Sequence, residues 1–269
     1  MNRNKLIFLV AILSACQGRP TSSVTEQEPQ ADTVSTAKAK IQSISKLNEQ
    51  SDSISLFTAP NGKQYKVIQL PAESSLDTST GFTELAAQLD CETDDYHGKD
   101  RKASKLSIVN ASTEAFNSLN SFIETLKDDN SMINNSQISR DENNKRVKDE
   151  KRNIKLSNIF IYAMKREPDN DYHIIIGDEN GLYFNIENSG LPDENQGDFN
   201  RLAKARKEVE DYFGEACNSN YQKFDPPIPV EIEGSIFYDI DHRPGAVGPE
   251  GFKPKTSWEI HPITKIVFK

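Results

Sequence analysis

The chain has 269 residues, of which 35% are hydrophobic and 27% charged, with 13 Gly and 13 Pro. This composition is typical of a globular protein diluted by polar segments, and the length suffices for one or two domains. The formal net charge of -9 argues against strong non-specific binding to nucleic acid or anionic lipid, because a phosphate backbone is held mainly by surplus Lys and Arg.

The N-terminus has the pattern of a secretory signal. Arg3 and Lys5 precede an apolar run at residues 6–13 that is too short to span a bilayer. The run leads through Leu-Ser-Ala into Cys16, which resembles the lipobox of bacterial lipoproteins. The alternative is an ordinary signal peptide that happens to contain a cysteine.

The lipobox resemblance implies that residues 1–15 are removed as a signal peptide and that lipid on Cys16 anchors the protein to a membrane. Gln17 follows where inner-membrane retention in this family uses Asp, so the outer membrane is favoured in a host with two membranes. Residues 16–54 then comprise the lipidated cysteine and a tether rich in Ser, Thr, Gln and Glu. Within the tether, residues 36–47 have the spacing of a short amphipathic helix.

The remaining cysteines, Cys91 and Cys217, form an even pair in an oxidising compartment. We therefore predict a disulfide between them. Two reduced, buried cysteines are the alternative, because pairing geometry cannot be read from sequence.

Residues 55–126 predict a small mixed α/β region, and the strongly polar residues 127–152 predict a charged flexible insertion after it. The elements expected in the first region are a hairpin of residues 55–57 and 64–70 around an Asn-Gly turn, and helices at 80–89 and 110–126.

Residues 153–269 predict three strands, one helix and two further strands. These elements are strands at 154–164, 172–177 and 182–186, a helix at 199–213, and strands at 230–240 and 258–268. Their order resembles an OB-fold, a five-stranded barrel with a helix between its third and fourth strands. The predicted fold class is therefore α+β, with a C-terminal OB-like barrel of five strands and one helix.

A second resemblance is local. Ile-Phe-Tyr-Asp at residues 236–239, Asp-His at 241–242 and Trp-Glu-Ile-His-Pro at 258–262 look like the ending of a group of uncharacterised exported bacterial proteins. That group brings no established activity.

Ionisable side chains near the ends of these strands form a candidate polar or metal cluster. Strand alternation puts Glu259 and His261 on one face, and Asp239 and Asp241 on one face of the neighbouring strand. The candidates are His173, Asp239, Asp241, His242, Glu259 and His261. Such a set can bind a transition metal, so a divalent metal is the candidate cofactor. A hydrogen-bonded structural rim and a catalytic site are the alternatives.

The connection at residues 243–257 is a candidate ligand loop, because OB-folds often contact ligands between their last two strands. Arg243, Lys253 and Lys255 make it locally basic. The alternative is a proline-braced connection without a ligand.

Three functions are consistent with these features. The first is a cell-envelope lipoprotein that uses an OB-like domain for scaffolding or for binding a peptide, saccharide or oligonucleotide. The second is a metal-assisted hydrolase, because one nuclease family uses an OB barrel with acidic metal ligands and paired arginines, although only Arg243 lies near the acids here. The third is a purely structural envelope protein. No catalytic set is evident, so whether the chain is an enzyme stays open at this point.

Overall fold

The computed structural model describes residues 40–43, 54–70, 92–214 and 217–269, all within one unit, 36–269. The described strands form one mixed sheet, and most of the helices are short. The fold class is α+β with a strand-rich core, as predicted.

The strands are β1 (Lys40–Ser43), β2 (Ile54–Thr58), β3 (Gln64–Gln69), β4 (Thr113–Phe116), β5 (Asn153–Arg166), β6 (Tyr172–Gly177), β7 (Tyr183–Asn188), β8 (Gln222–Tyr238) and β9 (Trp258–Phe268). The helices are α1 (Lys102–Lys105), α2 (Leu119–Ile123), α3 (Asp129–Ile133) and α4 (Phe199–Phe213), and a 3-10 turn spans Lys148–Glu150.

Five of these strands pair in a closed ring. The sheet runs in the order β1-β2-β3-β8-β9-β7-β6-β5-β4, and a further pairing of β8 with β5 closes the segment from β8 to β5. The β7–β9 pair is parallel, whereas the other pairs of the ring are antiparallel. The long strand β8 also pairs with β3, so the N-terminal strands extend the same sheet.

Apolar side chains fill one side of the ring strands. Ile174 and Ile176 of β6 and Trp258 and Ile260 of β9 are buried in the main core. Because successive side chains of a strand point to opposite faces, the residues between them lie on the outer face. Gly234 of β8 allows close approach of β9, since a Cβ atom there would lie 2.4 Å from Ile260 Cγ2.

The predicted hairpin and the long helix are confirmed. In the β2–β3 turn, Gly62 has φ 80° and its N–H donates to the Ala59 carbonyl at 2.9 Å. Phe57 of β2 packs on Phe213 of α4 with ring centroids 5.6 Å apart. The helix ends at Gly214, whose φ of 78° favours glycine. Aromatic packing thus joins the hairpin to the C-terminal half.

Two segments with helical spacing contain strands instead of continuous helices. Residues 36–47 include strand β1, which pairs with β2. Residues 110–126 form β4, parallel to β5, and then the short helix α2, which begins after Ser118; its side chain accepts the Ser121 N–H at 3.1 Å. Pairing with a neighbouring strand therefore outweighs helical spacing in both places.

The fourth ring strand begins at residue 222 rather than 230. Its prolines argue against a strand, because proline cannot donate to a ladder. The carbonyl of a proline can still accept a hydrogen bond, and the Lys269 N–H donates to the Pro229 carbonyl at 3.0 Å.

Residues 127–152 differ from the flexible insertion expected there, because they pack against the sheet. Met132, Arg146, Val147 and Glu150 are all buried. Charge density made this segment look solvated, yet its ionisable side chains reach partners on other elements.

The helix predicted at 80–89 and Cys91 lie outside the described residues. The pairing of Cys91 with Cys217 therefore remains a prediction. Among the residues that are described, no helix combines the length and the apolar character needed to cross a membrane.

Candidate functional site

Three neighbouring strands place a row of polar side chains on the outer face of the ring. In the register of β6 and β7, His173 lies opposite Glu187. In the parallel pair β7–β9, Ile186 lies opposite Ile260, which puts Glu187 beside His261 one position further along. The sheet therefore orders an imidazole, a carboxylate and an imidazole across three strands.

Glu187 contacts both imidazoles of this row. One of its oxygens contacts His173 Nε2, and the other lies 2.5 Å from His261 Nδ1. Two further carboxylates approach from either end, with Glu167 Oε2 at 3.1 Å from His173 Nε2 and Glu259 Oε1 at 3.3 Å from His261 Nδ1. Each imidazole is thus approached by two carboxylates at one of its two nitrogens.

Asn185 links Glu187, at the centre of this row, to Glu259 on the neighbouring strand. Its amide donates to Glu187 Oε1 at 3.1 Å and to Glu259 Oε2 at 2.9 Å. Asp171, just before β6, approaches from the other side, with its Oδ2 3.5 Å from His261 Nε2. The six side chains named next are all buried. We call Asp171, His173, Asn185, Glu187, Glu259 and His261 the buried polar cluster.

Residues 92–107 cover one side of the buried polar cluster. The Tyr96 N–H donates to the Leu191 carbonyl at 2.8 Å, and the His97 N–H to the Asp169 carbonyl at 3.1 Å. Lys105 Nζ lies 4.0 Å from Asp169 Oδ2 and brings a positive charge to the carboxylates. The covering segment therefore supplies both backbone contacts and charge.

Burial and mutual repulsion raise the pKa of two carboxyl groups in the cluster. The pKa of Glu259 lies well above its ordinary value because of burial and the charges of Glu187 and Asp239. The pKa of Asp171 is also raised well above its ordinary value, first by burial and then by Asp169. Burial therefore disfavours the charged form of both groups.

The central carboxylate has the opposite shift. Burial would raise the pKa of Glu187, but His173, His261 and Lys105 lower it well below its ordinary value. Burial lowers the pKa of His173, whereas the neighbouring carboxylates, Glu187 among them, outweigh that effect and raise it. Glu187 is therefore the anionic centre of the cluster.

Asp239 and His242 form a pair beside the cluster that reaches the surface through His242. His242 Nδ1 contacts Asp239 Oδ2, and the His242 ring lies 6.3 Å from that of His173. The Asp239 charge raises the pKa of His242 to about 10. Burial would raise the pKa of Asp239, but His242 lowers it to about 2.

A narrow cleft of about 10 Å³ lies between the surface and the cluster. His242 and Arg243 line its outer part, and Asn185 and Glu259 line it further in. The His242 side chain is 43% exposed, whereas that of Glu259 is 3% exposed. A cleft of this size has room for about one water molecule or a small ion and excludes a polymer chain.

The loop at residues 243–257 packs on the sheet instead of standing free. Phe252 lies 5.6 Å from the Tyr162 ring and 5.3 Å from the Tyr183 ring, and Lys223 Nζ lies 5.0 Å from its centroid. The three rings remain partly exposed. We call Tyr162, Tyr183 and Phe252 the aromatic patch.

Of the residues predicted as a polar or metal cluster, three lie in the buried polar cluster: His173, Glu259 and His261. Asp239 and His242 form the adjacent pair, whereas Asp241 contacts Arg140. The candidate loop residues lie outside the cluster: Arg243 and Lys255 are exposed, and Lys253 lies 3.9 Å from Glu250.

Sequence reasoning missed Asp171, Asn185, Glu187 and Lys105. The signal for two of them was present, because Asn185 and Glu187 alternate with the buried Phe184 and Ile186 of β7. Applying to β7 the alternation used for the last strand would have found them. Lys105 and Asp171 come from outside the ring strands, so strand alternation does not predict them.

Comparison with known proteins identifies no relative, since no protein-family model, curated protein or solved structure matches the chain.

Proposed function

We propose that the protein is a cell-envelope lipoprotein whose five-stranded ring is an OB-like barrel that binds a saccharide of the envelope. The ring order β5-β6-β7-β9-β8 supports the barrel, because it joins the strands first, second, third, fifth and fourth with α4 between the third and fourth. An OB-fold is a five-stranded barrel of Greek-key type. Lipid on Cys16 would hold the barrel at the membrane surface.

The aromatic patch is the observation that carries the ligand assignment. OB-folds bind ligands on the face of the second and third strands and on the loops next to it, including the loop between the last two strands. Tyr183 begins β7, the third ring strand, and Phe252 belongs to that last loop. Partly exposed rings at this position offer apolar faces against which a sugar ring can pack.

Charge favours a saccharide over a nucleic acid. Aromatic patches also stack nucleobases, but single-strand binding needs a positively charged groove along the backbone. The chain has a net charge of -9, and the cation seen against the patch is Lys223, whose Nζ lies 5.0 Å from the Phe252 ring centroid. A neutral or weakly charged ligand fits this balance better.

The hydrolase alternative has weaker support. Asp239 and Glu259 are only 5% and 2% exposed, and Asp241 is paired with Arg140. A polymer substrate would have to reach these acids through the narrow cleft. The same burial is consistent with the alternative of a purely structural envelope protein. That alternative predicts that the protein binds neither glycan nor oligonucleotide.

The test uses the detergent-solubilised lipoprotein and soluble envelope glycan fragments in a calorimetric titration. Phe252→Ala and Tyr183→Ala are expected to weaken binding at least about tenfold, or ~1.4 kcal/mol each. Tyr183→Phe keeps the ring and should bind like the wild type. Binding of oligonucleotide rather than glycan would reject the ligand assignment, and binding of neither would favour a structural role.

The anchor is tested separately by labelling cells with a radioactive fatty acid. The wild-type chain should incorporate label and fractionate with membranes, whereas Cys16→Ser should do neither. Equal labelling of the two chains would reject lipidation at Cys16.

A further inference from the structure

Asp171, Glu187 and His261 bring three metal-ligating side chains together inside the protein. One donor atom from each lies within 4.8 Å of the other two. The exposed fractions of the three side chains are 0%, 1% and 0%. Carboxylates and a neutral imidazole are ordinary ligands of zinc and related transition metals.

A possible ligand atom of Asp171 and one of His261 face each other without a hydrogen bond. Within the described part of the chain, Asp171 Oδ2 and His261 Nε2 have no hydrogen-bond partner, although both atoms are fully buried. Buried polar atoms normally find partners, because leaving them unpaired is costly. A pair of unpartnered ligand atoms aimed at each other therefore calls for a third species between them.

The spacing of this pair fits a tetrahedral metal ion. Metal–nitrogen and metal–oxygen bonds of about 2.0–2.2 Å put neighbouring ligands of a tetrahedron roughly 3.4 Å apart. Asp171 Oδ2 and His261 Nε2 are 3.5 Å apart. This separation is long for a hydrogen bond but suits two ligands of one ion.

The other side of the His261 ring has the partner that a metal-binding histidine needs. Its Nδ1 lies 2.5 Å from Glu187 Oε2 and 3.3 Å from Glu259 Oε1, and the Asn185 amide holds the other oxygen of Glu259 at 2.9 Å. A carboxylate on the second nitrogen fixes the ring orientation and leaves the first nitrogen for the metal. Asp171 is fixed in the same way, since its Oδ1 accepts the Gly190 N–H at 2.7 Å.

We propose that Asp171 Oδ2 and His261 Nε2 are ligands of a divalent transition-metal ion such as zinc, with Glu187 as the third ligating side chain within 4.8 Å. The ion enters through the narrow cleft, which reaches Asn185 and Glu259 next to these ligands. The metal site and the aromatic patch are formed by different residues, so metal binding can be tested independently of saccharide binding.

The experiment treats the full-length, detergent-solubilised protein with chelator and then dialyses it against zinc. Metal analysis is expected to find about one zinc per chain. Asp171→Asn, which keeps the side-chain size, should lower the affinity at least about a hundredfold. His242→Gln is the matched control, because it removes an accessible imidazole outside the ligand set and should leave the affinity within about twofold.

Cobalt substitution of the wild-type chain tests the proposal without a variant, in case Asp171→Asn fails to fold. Cobalt bound as proposed should give the intense visible absorption of a tetrahedral ion, and zinc should displace it. The weak spectrum of hydrated cobalt, or substoichiometric zinc, would overturn the proposal. Loss of the metal in His242→Gln with retention in Asp171→Asn would also overturn it, by placing the ion at the surface pair.

Discussion

The buried ion pair of Arg101 and Glu150 holds the segment that covers the polar cluster. Arg101 Nη1 and Nη2 donate to the two Glu150 oxygens at 2.8 and 2.9 Å, and the side chains are 1% and 0% exposed. Glu150 also accepts the N–H groups of Val147 at 2.7 Å and Tyr238 at 2.9 Å. One carboxylate thus joins the covering segment, the 3-10 turn and the end of β8.

Glu150→Gln keeps the size of this side chain but leaves the guanidinium of Arg101 buried without a counter-charge. Breaking a buried pair from one side costs about 3–5 kcal/mol of the free energy of unfolding. For a chain of this size, the melting temperature should fall by about 6–20 °C. Urea unfolding followed by the fluorescence of Trp258, the single tryptophan and a buried one, measures the loss.

Two further variants make the result decisive. Asp211→Asn breaks an exposed ion pair with Lys207, in which the Lys207 side chain is 72% exposed and that of Asp211 49% exposed. This control should lower the free energy of unfolding by at most about 0.5 kcal/mol. Arg101→Met with Glu150→Gln removes both charges of this pair, so the cost of the double change should fall below the sum of the single changes by about 2 kcal/mol. A loss under about 1 kcal/mol for Glu150→Gln, or additive costs, would refute the reasoning.

The surface pair Asp239 and His242 predicts a pH-dependent contribution to stability. The contribution is fully present between pH 3.8, the ordinary pKa of Asp, and pH 6.5, the ordinary pKa of His. It is lost as the pH rises towards the raised pKa of His242, about 10, and as the pH falls towards the lowered pKa of Asp239, about 2. Because His242 is 43% exposed, the contribution is on the order of 1 kcal/mol. The free energies of unfolding of wild type and His242→Gln should therefore converge near pH 10. A difference between them that stays constant with pH would contradict this prediction. Gly234→Ala should destabilise the fold by about 1–3 kcal/mol in urea unfolding, because its Cβ would lie 2.4 Å from Ile260 Cγ2. Gly197→Ala has no atom within 4 Å and serves as its control; an equal effect of the two changes would exclude the steric explanation.

Local patterns were sufficient where one element buries one face. The helix Phe199–Phe213 was predicted with its observed bounds, because apolar spacing and Gly214 mark both its stripe and its end. Strand alternation likewise put Glu259 and His261 on one face, and they are neighbours in the cluster. Period and turn chemistry are properties of a few adjacent residues, so sequence contains them.

Local patterns failed where a distant partner decides the conformation. Residues 113–116 have helical spacing but pair with β5. The proline-rich start of β8 is a strand because it pairs with both β3 and β5. The ladder hydrogen bonds come from residues far along the chain, and no window of sequence includes both partners.

The sequence by itself determined the α+β class, the strands and helix of the C-terminal half, and the residue types from which a polar site can be built. Only the tertiary structure decided that Glu187 lies between His173 and His261, that Asp171 faces His261 Nε2, and that Lys105 adds its charge from a covering segment. Periodicity tells which face a side chain occupies, because that depends on backbone geometry alone. Strand register and loop packing determine which side chains meet on that face, and both depend on contacts summed over the whole fold.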